Sequence, residues 1–93
     1  MATPERPPAR RAAAVRYRSG HDSPELVARG RGHVADAILE AAVAAGVPIR
    51  SDTVLVQALE TLELGQHVPP ELYAAVAEAL VWAYRLTGRR PPA

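Results

Sequence analysis

Leu62-Glu63-Leu64-Gly65-Gln66-His67-Val68-Pro69-Pro70-Glu71-Leu72-Tyr73-Ala74-Ala75-Val76-Ala77-Glu78-Ala79-Leu80-Val81-Trp82-Ala83-Tyr84-Arg85-Leu86 is the stretch that decides the fold. From Pro70 onward it predicts a helix. Pro70 suits a first helical turn, where its missing N–H forfeits no hydrogen bond, and Glu71 is favoured at that electropositive end. Leu72, Val76, Ala79, Leu80 and Ala83 recur at helical spacing as an inward stripe. The helix runs to Thr87, and Gly88 ends it. Residues 63–68 form a connector with room for a short strand.

Working outward, Ser51 or Asp52 can cap a helix that continues to about Leu62, with Leu55, Ala58, Leu59 and Leu62 facing inward. Residues 47–50 read as a brief apolar strand. Residues 33–45 read as a helix with Val34, Ile38, Ala41, Ala42 and Ala45 on its buried side, ended by Gly46. Further upstream, residues 12–18 predict a strand with Ala13, Val15 and Tyr17 on one face. Residues 19–24 are turn chemistry, and residues 26–29 are a second short strand, antiparallel to the first. Gly30-Arg31-Gly32 breaks it. The order implies an α/β (α+β) domain: a small mixed β-sheet with three to four helices packed around it. That domain occupies residues 12–88, between a flexible Arg/Pro-rich leader over 1–11 and a flexible tail over 89–93.

The composition sets limits on that domain. Of 93 residues 48% are hydrophobic, but 19 of those are alanine; Val, Ile and Leu total 21 and there is no Phe. The core is therefore thin, in a size range where small domains often need a staple or a partner. The absence of cysteine excludes disulfides and thiolate metal sites. No apolar run approaches the ~20 residues of a bilayer span. The net charge of +1 conceals an uneven layout: +4 over residues 1–18, −6 over 19–84 and +3 over the tail. Basic ends are compatible with nucleic acid or anionic lipid, although solvated tails explain them as well.

Gly30-Arg31-Gly32-His33-Val34-Ala35 fits the G-x-G-x-x-G/A pattern of dinucleotide sites, between a strand and a helix. Asp52, twenty residues after Gly32, is placed to hold a ribose hydroxyl. The strands are too short and the chain too small for a cofactor cleft, and a tight strand-to-helix turn uses the same glycines. His21, His33 and His67 show no metal-ligand spacing. Ser19, Ser23 and Ser51 sit in turns or caps, and Asp36, Glu40, Glu60, Glu71 and Glu78 fall on helix surfaces. Trp82 and Tyr84 are core or rim residues, since no basic residues interleave with them as in a base-stacking platform. No catalytic residue, cofactor or metal is expected, and no enzyme emerges.

The 62–86 stretch, with its Leu-Gly-x-x-x-Pro-Pro-Glu-Leu-Tyr-x-Ala-Val-Ala-Glu run, resembles the end of the cytoplasmic domain of the FlhB/YscU family (EscU, HrcU and SpaS among its members). These proteins are the substrate-specificity switches of flagellar and type III secretion export machines. Residues 12–17 resemble the strand after that family's cleavage loop, Leu26-Val27-Ala28-Arg29-Gly30-Arg31-Gly32 its next strand and turn, and Gly46-Val47-Pro48-Ile49 the strand after its first helix. The resemblance implies that the Gly-x-Gly segment is a structural turn.

Family members carry a membrane domain ahead of this region and a self-cleaving Asn-Pro-Thr-His loop. In register with Tyr17 that loop falls on Pro7-Pro8-Ala9-Arg10, without the Asn nucleophile or the His. The implied function is a bacterial, cytoplasmic, non-catalytic and non-self-cleaving export module. It would dock export substrates or export-gate components, peripheral to the inner-membrane apparatus. The family's strand ahead of the cleavage loop has no counterpart, so the edge at residues 12–18 is expected to borrow a strand from a partner or pair in a homodimer. A nucleotide-binding protein built on Gly30, Gly32 and Asp52 is the alternative, and a nucleic-acid module using the Arg-rich ends is a more distant one. No partner-binding residue is assigned.

Overall fold

A computed structural model describes residues 10–18, 20 and 23–88. Residues 1–9 of the expected 1–11 leader, the expected tail at 89–93, and Ser19, His21 and Asp22 lie outside the described residues. Two strands, β1 (Arg11–Arg16) and β2 (Glu25–Arg31), pair antiparallel. They are followed by α1 (His33–Ala44), α2 (Thr53–Leu59), a single 3-10 turn (Pro70–Leu72) and α3 (Tyr73–Thr87). β1 begins at Arg11, inside the stretch assigned by composition to the leader, and ends two residues short of the expected Arg18.

A β-bulge decides which residues face which layer. Ala14 pairs with Ala28, but Val15 pairs with Leu26, so Val27 is an extra residue on β2. Side chains alternate faces along a strand, and one inserted residue exchanges them. Ala12 and Ala14 thus lie on one face with Ala28 and Gly30. Beyond the bulge, Val15 and Leu26 join the face that carries Ala13. That second face packs on the core, made of the buried Leu26, Leu59, Leu62, Val68 and Val76 with Leu55, Leu72 and Leu80 against them. α1 packs on the first face, with Ala35 fully buried and Ala12 nearly so.

The expected α3 stripe is present: Val76 is buried, and Leu72, Ala79, Leu80 and Ala83 are partly so. The second helix ends at Leu59, three residues short of the expected Leu62, but Leu55, Ala58 and Leu59 face inward, Leu62 is buried just beyond its end, and Asp52 is its cap: the Leu55 N–H donates to Asp52 Oδ1 at 3.0 Å. The first helix differs. Val34 is 56% exposed, Ala41 and Ala45 are exposed, and the buried side runs through Ala35, Ile38, Leu39 and Ala42. Val34 sits at the rim of the helix–sheet contact with its side chain beside Gly30, and Ala35 takes the fully buried position.

The expected strand at 47–50 does not form, so the described sheet is a two-stranded antiparallel one and not a mixed sheet. The backbone explains this. α1 closes in a Schellman motif, with Gly46 N–H on the Val43 carbonyl and Val47 N–H on the Ala42 carbonyl. Val47 has spent its donor and Pro48 has none. The connector before α3 instead pairs with β2: Glu25 bridges His67, Leu26 N–H donates to the Gln66 carbonyl (2.9 Å), and Gly65 and Val68 N–H donate back to Leu26 and Pro24. β2 is thereby covered on both edges at its start. On β1, among the described residues, no backbone hydrogen bond leaves the outer edge.

Candidate functional site

The alternation of β2 puts Arg29 and Arg31 on one face, and the register sets Arg11 opposite Arg31. The C-terminal end of α2 lies over this face, with Gln57, Glu60 and Thr61 at helical spacing. Together these side chains and Gly30 line a cleft of about 670 Å³. Glu60 occupies the C-cap of α2, where the helix dipole disfavours a carboxylate. Two guanidinium groups offset this. Arg31 Nη2 donates to Glu60 Oε2 at 2.9 Å, and Arg11 Nη1 lies 3.7 Å from the same oxygen. The Glu60 side chain is only 13% exposed, and Oε1 is buried with no hydrogen-bond partner among the described residues. Arg29 is exposed and makes no ion pair among the described residues.

A second, smaller groove of about 390 Å³ lies beside α3, lined by Arg50, Glu78, Val81, Trp82 and Arg85. The Arg50 guanidinium sits over the Trp82 ring, 5.9 Å from its centroid, and 3.6 Å from Glu78. Trp82 is therefore a packed rim residue held under a cation.

The residues singled out for nucleotide chemistry each have a structural task. A Cβ on Gly30 would meet the Val34 side chain. Gly32 turns the chain into α1 at φ +58° and ψ −125°, a conformation open to glycine. Asp52 is the α2 cap. His67 and Ser23 tie the connector to the turn before β2: Ser23 Oγ and its carbonyl oxygen lie 3.2 and 3.1 Å from His67 Nδ1. Arg10, Arg11 and Arg16, part of the basic N-terminal segment, pair with Asp36, Glu60 and Glu25. No group of three His, Cys, Asp or Glu side chains suited to a metal occurs among the described residues.

Composition and spacing placed Glu60 on a solvated helix surface and gave Arg11, Arg29 and Arg31 no common location. The signal available was the Arg-x-Arg alternation at 29 and 31. It becomes informative only with the hairpin register, which the bulge obscures.

A two-stranded antiparallel hairpin with three helices packed around it defines a small domain of the α+β class. Residues 7–83 match the family described as FlhB HrpN YscU SpaS, and the chain belongs to that family. It is 41% identical over 83 residues to the uncharacterized protein YlqH of Bacillus subtilis (strain 168), covering 88% of this chain and 89% of YlqH. It is also 41% identical over 81 residues to the flagellar biosynthetic protein FlhB of Yersinia enterocolitica, covering 85% of this chain but 21% of FlhB. The chain thus spans nearly all of the first relative and about a fifth of the second. Among solved structures, the C-terminal domain of a mutated EscU superposes with a TM-score of 0.78 at 23% identity, over 82% of this chain and 94% of that domain. The PscU C-terminal domain gives 0.72 at 28% identity, over 77% and 94%. The α+β fold and the family resemblance expected from the sequence are both borne out, and with them the link to flagellar and type III protein export.

Proposed function

We propose that this chain is a cytoplasmic, non-catalytic docking module of a flagellar or type III export apparatus, peripheral to the inner membrane, which engages export substrates or export-gate components. The observation that carries it is the family match over 7–83, to relatives named as flagellar biosynthetic and secretion proteins. Among the described residues no helix is long and apolar enough to cross a membrane. At the register of the family's cleavage loop the sequence Pro7-Pro8-Ala9-Arg10 offers no Asn nucleophile, so the intact mass should stay constant on incubation.

The free outer edge of β1 supplies the mode of engagement. Unpaired N–H and C=O groups on an edge strand accept a further strand, from a full-length export-switch protein or from a second copy. Hydrogen exchange on this chain, with and without a full-length FlhB-type partner, tests it. Residues 11–16 should gain protection with the partner. Equal exchange in both samples would sink the strand-addition mode. A sedimentation profile with a dimer at the same protection would assign the edge to a second copy.

A further inference from the structure

We propose that the cleft between the Arg11/Arg29/Arg31 face of the hairpin and the end of α2 is a docking site for an acidic peptide segment of a protein partner. It rests on the function proposed above in one respect only, that the partners are proteins.

Charge is the first reason. The cleft holds three guanidinium groups and one carboxylate, an excess of positive charge within a body that carries −6 over residues 19–84. The carboxylate present does not quench that excess. Glu60 offers one oxygen to both Arg11 and Arg31, while its other oxygen is buried without a hydrogen-bond partner among the described residues. Its effect is to hold two guanidinium groups in place. A guanidinium has five N–H donors, and Arg31 spends a single Nη2 bond on Glu60, so most of its donors stay available.

Arg29 is the second reason. It is exposed and holds no carboxylate among the described residues, so an incoming carboxylate breaks no internal pair to reach it. A guanidinium fork matches a carboxylate bidentately, the Gln57 amide adds a donor and an acceptor for a peptide backbone, and the Thr61 hydroxyl, whose hydrogen goes to the Ala58 carbonyl, adds an acceptor. The same lining argues against a nucleotide: it contains no aromatic or large apolar side chain on which a base could stack.

The test is fluorescence anisotropy with the full chain and a short labelled Asp/Glu peptide. Its Asn/Gln counterpart, ATP and a single-stranded oligonucleotide serve as the other probes. The acidic peptide should bind, lose affinity steeply with added salt, and weaken about tenfold or more in Arg29→Glu. The thermal midpoint of that variant should stay unchanged, because Arg29 holds nothing in the fold, and Arg29→Lys, which keeps the charge but not the fork, should bind between the parent and Arg29→Glu. Equal affinity for the Asn/Gln peptide, or Arg29→Glu within about twofold of the parent, overturns the proposal. So does tighter, Arg29-dependent binding of ATP or the oligonucleotide.

Failure here is separable from failure of the docking function. If an export partner still protects β1 in Arg29→Glu at undiminished affinity, the cleft is not its site and the docking function stands. If the acidic peptide binds through Arg29 but no export partner protects β1, the cleft stands and the strand-addition mode falls.

Discussion

The Val34 side chain occupies the space that a Cβ on Gly30 would need. Strand and helix therefore meet at a separation only a glycine allows, and Gly30 and Gly32 serve the turn in different ways. Gly30→Ala overpacks the contact and should cost about 1–3 kcal/mol. Gly32→Ala meets no neighbour within 4 Å, so its cost of about 1–3 kcal/mol is backbone strain alone. Urea unfolding of the combinations with Val34→Ala separates the two. Val34→Ala removes the nearest atom, Cγ1, but keeps the Cβ at 2.7 Å from the added methyl, so it should relieve Gly30→Ala in part and leave Gly32→Ala unchanged; the same relief in both would refute the close contact.

Asp52 caps a helix of only seven residues. A helix that short has little stability of its own, so the side-chain bond to Leu55 N–H matters more than in a long one. Asp52→Ala should cost about 0.5–2 kcal/mol, and Asp52→Asn much less, since the amide oxygen can still accept. Equal losses for both variants, measured by thermal unfolding, would mean that the carboxylate does something other than cap.

How much of this was legible in the sequence follows from contrast. α3 reads clearly because Leu72, Val76 and Leu80 stand out against Glu71, Glu78 and Arg85. α1 has no such contrast: it is alanine-rich on every side, so the larger Val34 is the natural choice for the core. In the fold Val34 lies beside Gly30 at the rim, and Ala35 is the residue that is fully buried. The strand expected at 47–50 has the right apolar residues but not the free donors, which depend on how the preceding helix closes. The arginine cleft was hidden for a related reason. Arg11 meets Arg29 and Arg31 only through a register that the bulge at Val27 sets, and nothing marks Val27 as extra before the pairing is known.

Arg16 and Glu25 clasp the hairpin at its loop end, Nη2 to Oε1 at 2.8 Å. The Arg16 hydrogen bond draws the Glu25 carboxyl below its ordinary 4.5, with the charges of Arg16 and Arg18 acting in the same direction and desolvation opposing them. A carboxyl lowered on folding adds stability above its unfolded value, and loses it as pH falls through the folded one. The pair is exposed, so the effect on stability is small. The informative measurement is the Glu25 side-chain NMR titration. Its midpoint should lie below 4.5 and rise in Arg16→Gln; an unmoved midpoint would show that the pair does not persist in solution.

Leu26 is fully buried at the bulge, and its backbone is held on the connector side by Gln66 and Gly65. It therefore fastens three parts of the domain: the hairpin, the connector and the core under α3. Leu26→Ala should cost about 2–5 kcal/mol, a large share of the ~5–15 kcal/mol that holds a typical domain together. Leu86→Ala, at a site 64% exposed, should stay within about 0.5 kcal/mol. Urea unfolding compares them directly, and similar losses would place Leu26 outside the core. The weakened variant also reports on β1, whose only strand partner among the described residues is β2. A partner that adds a strand to the native edge stabilises the folded state by mass action. The midpoint of Leu26→Ala should then rise as that partner is added, and no rise at saturating concentration would mean that binding does not depend on the folded hairpin.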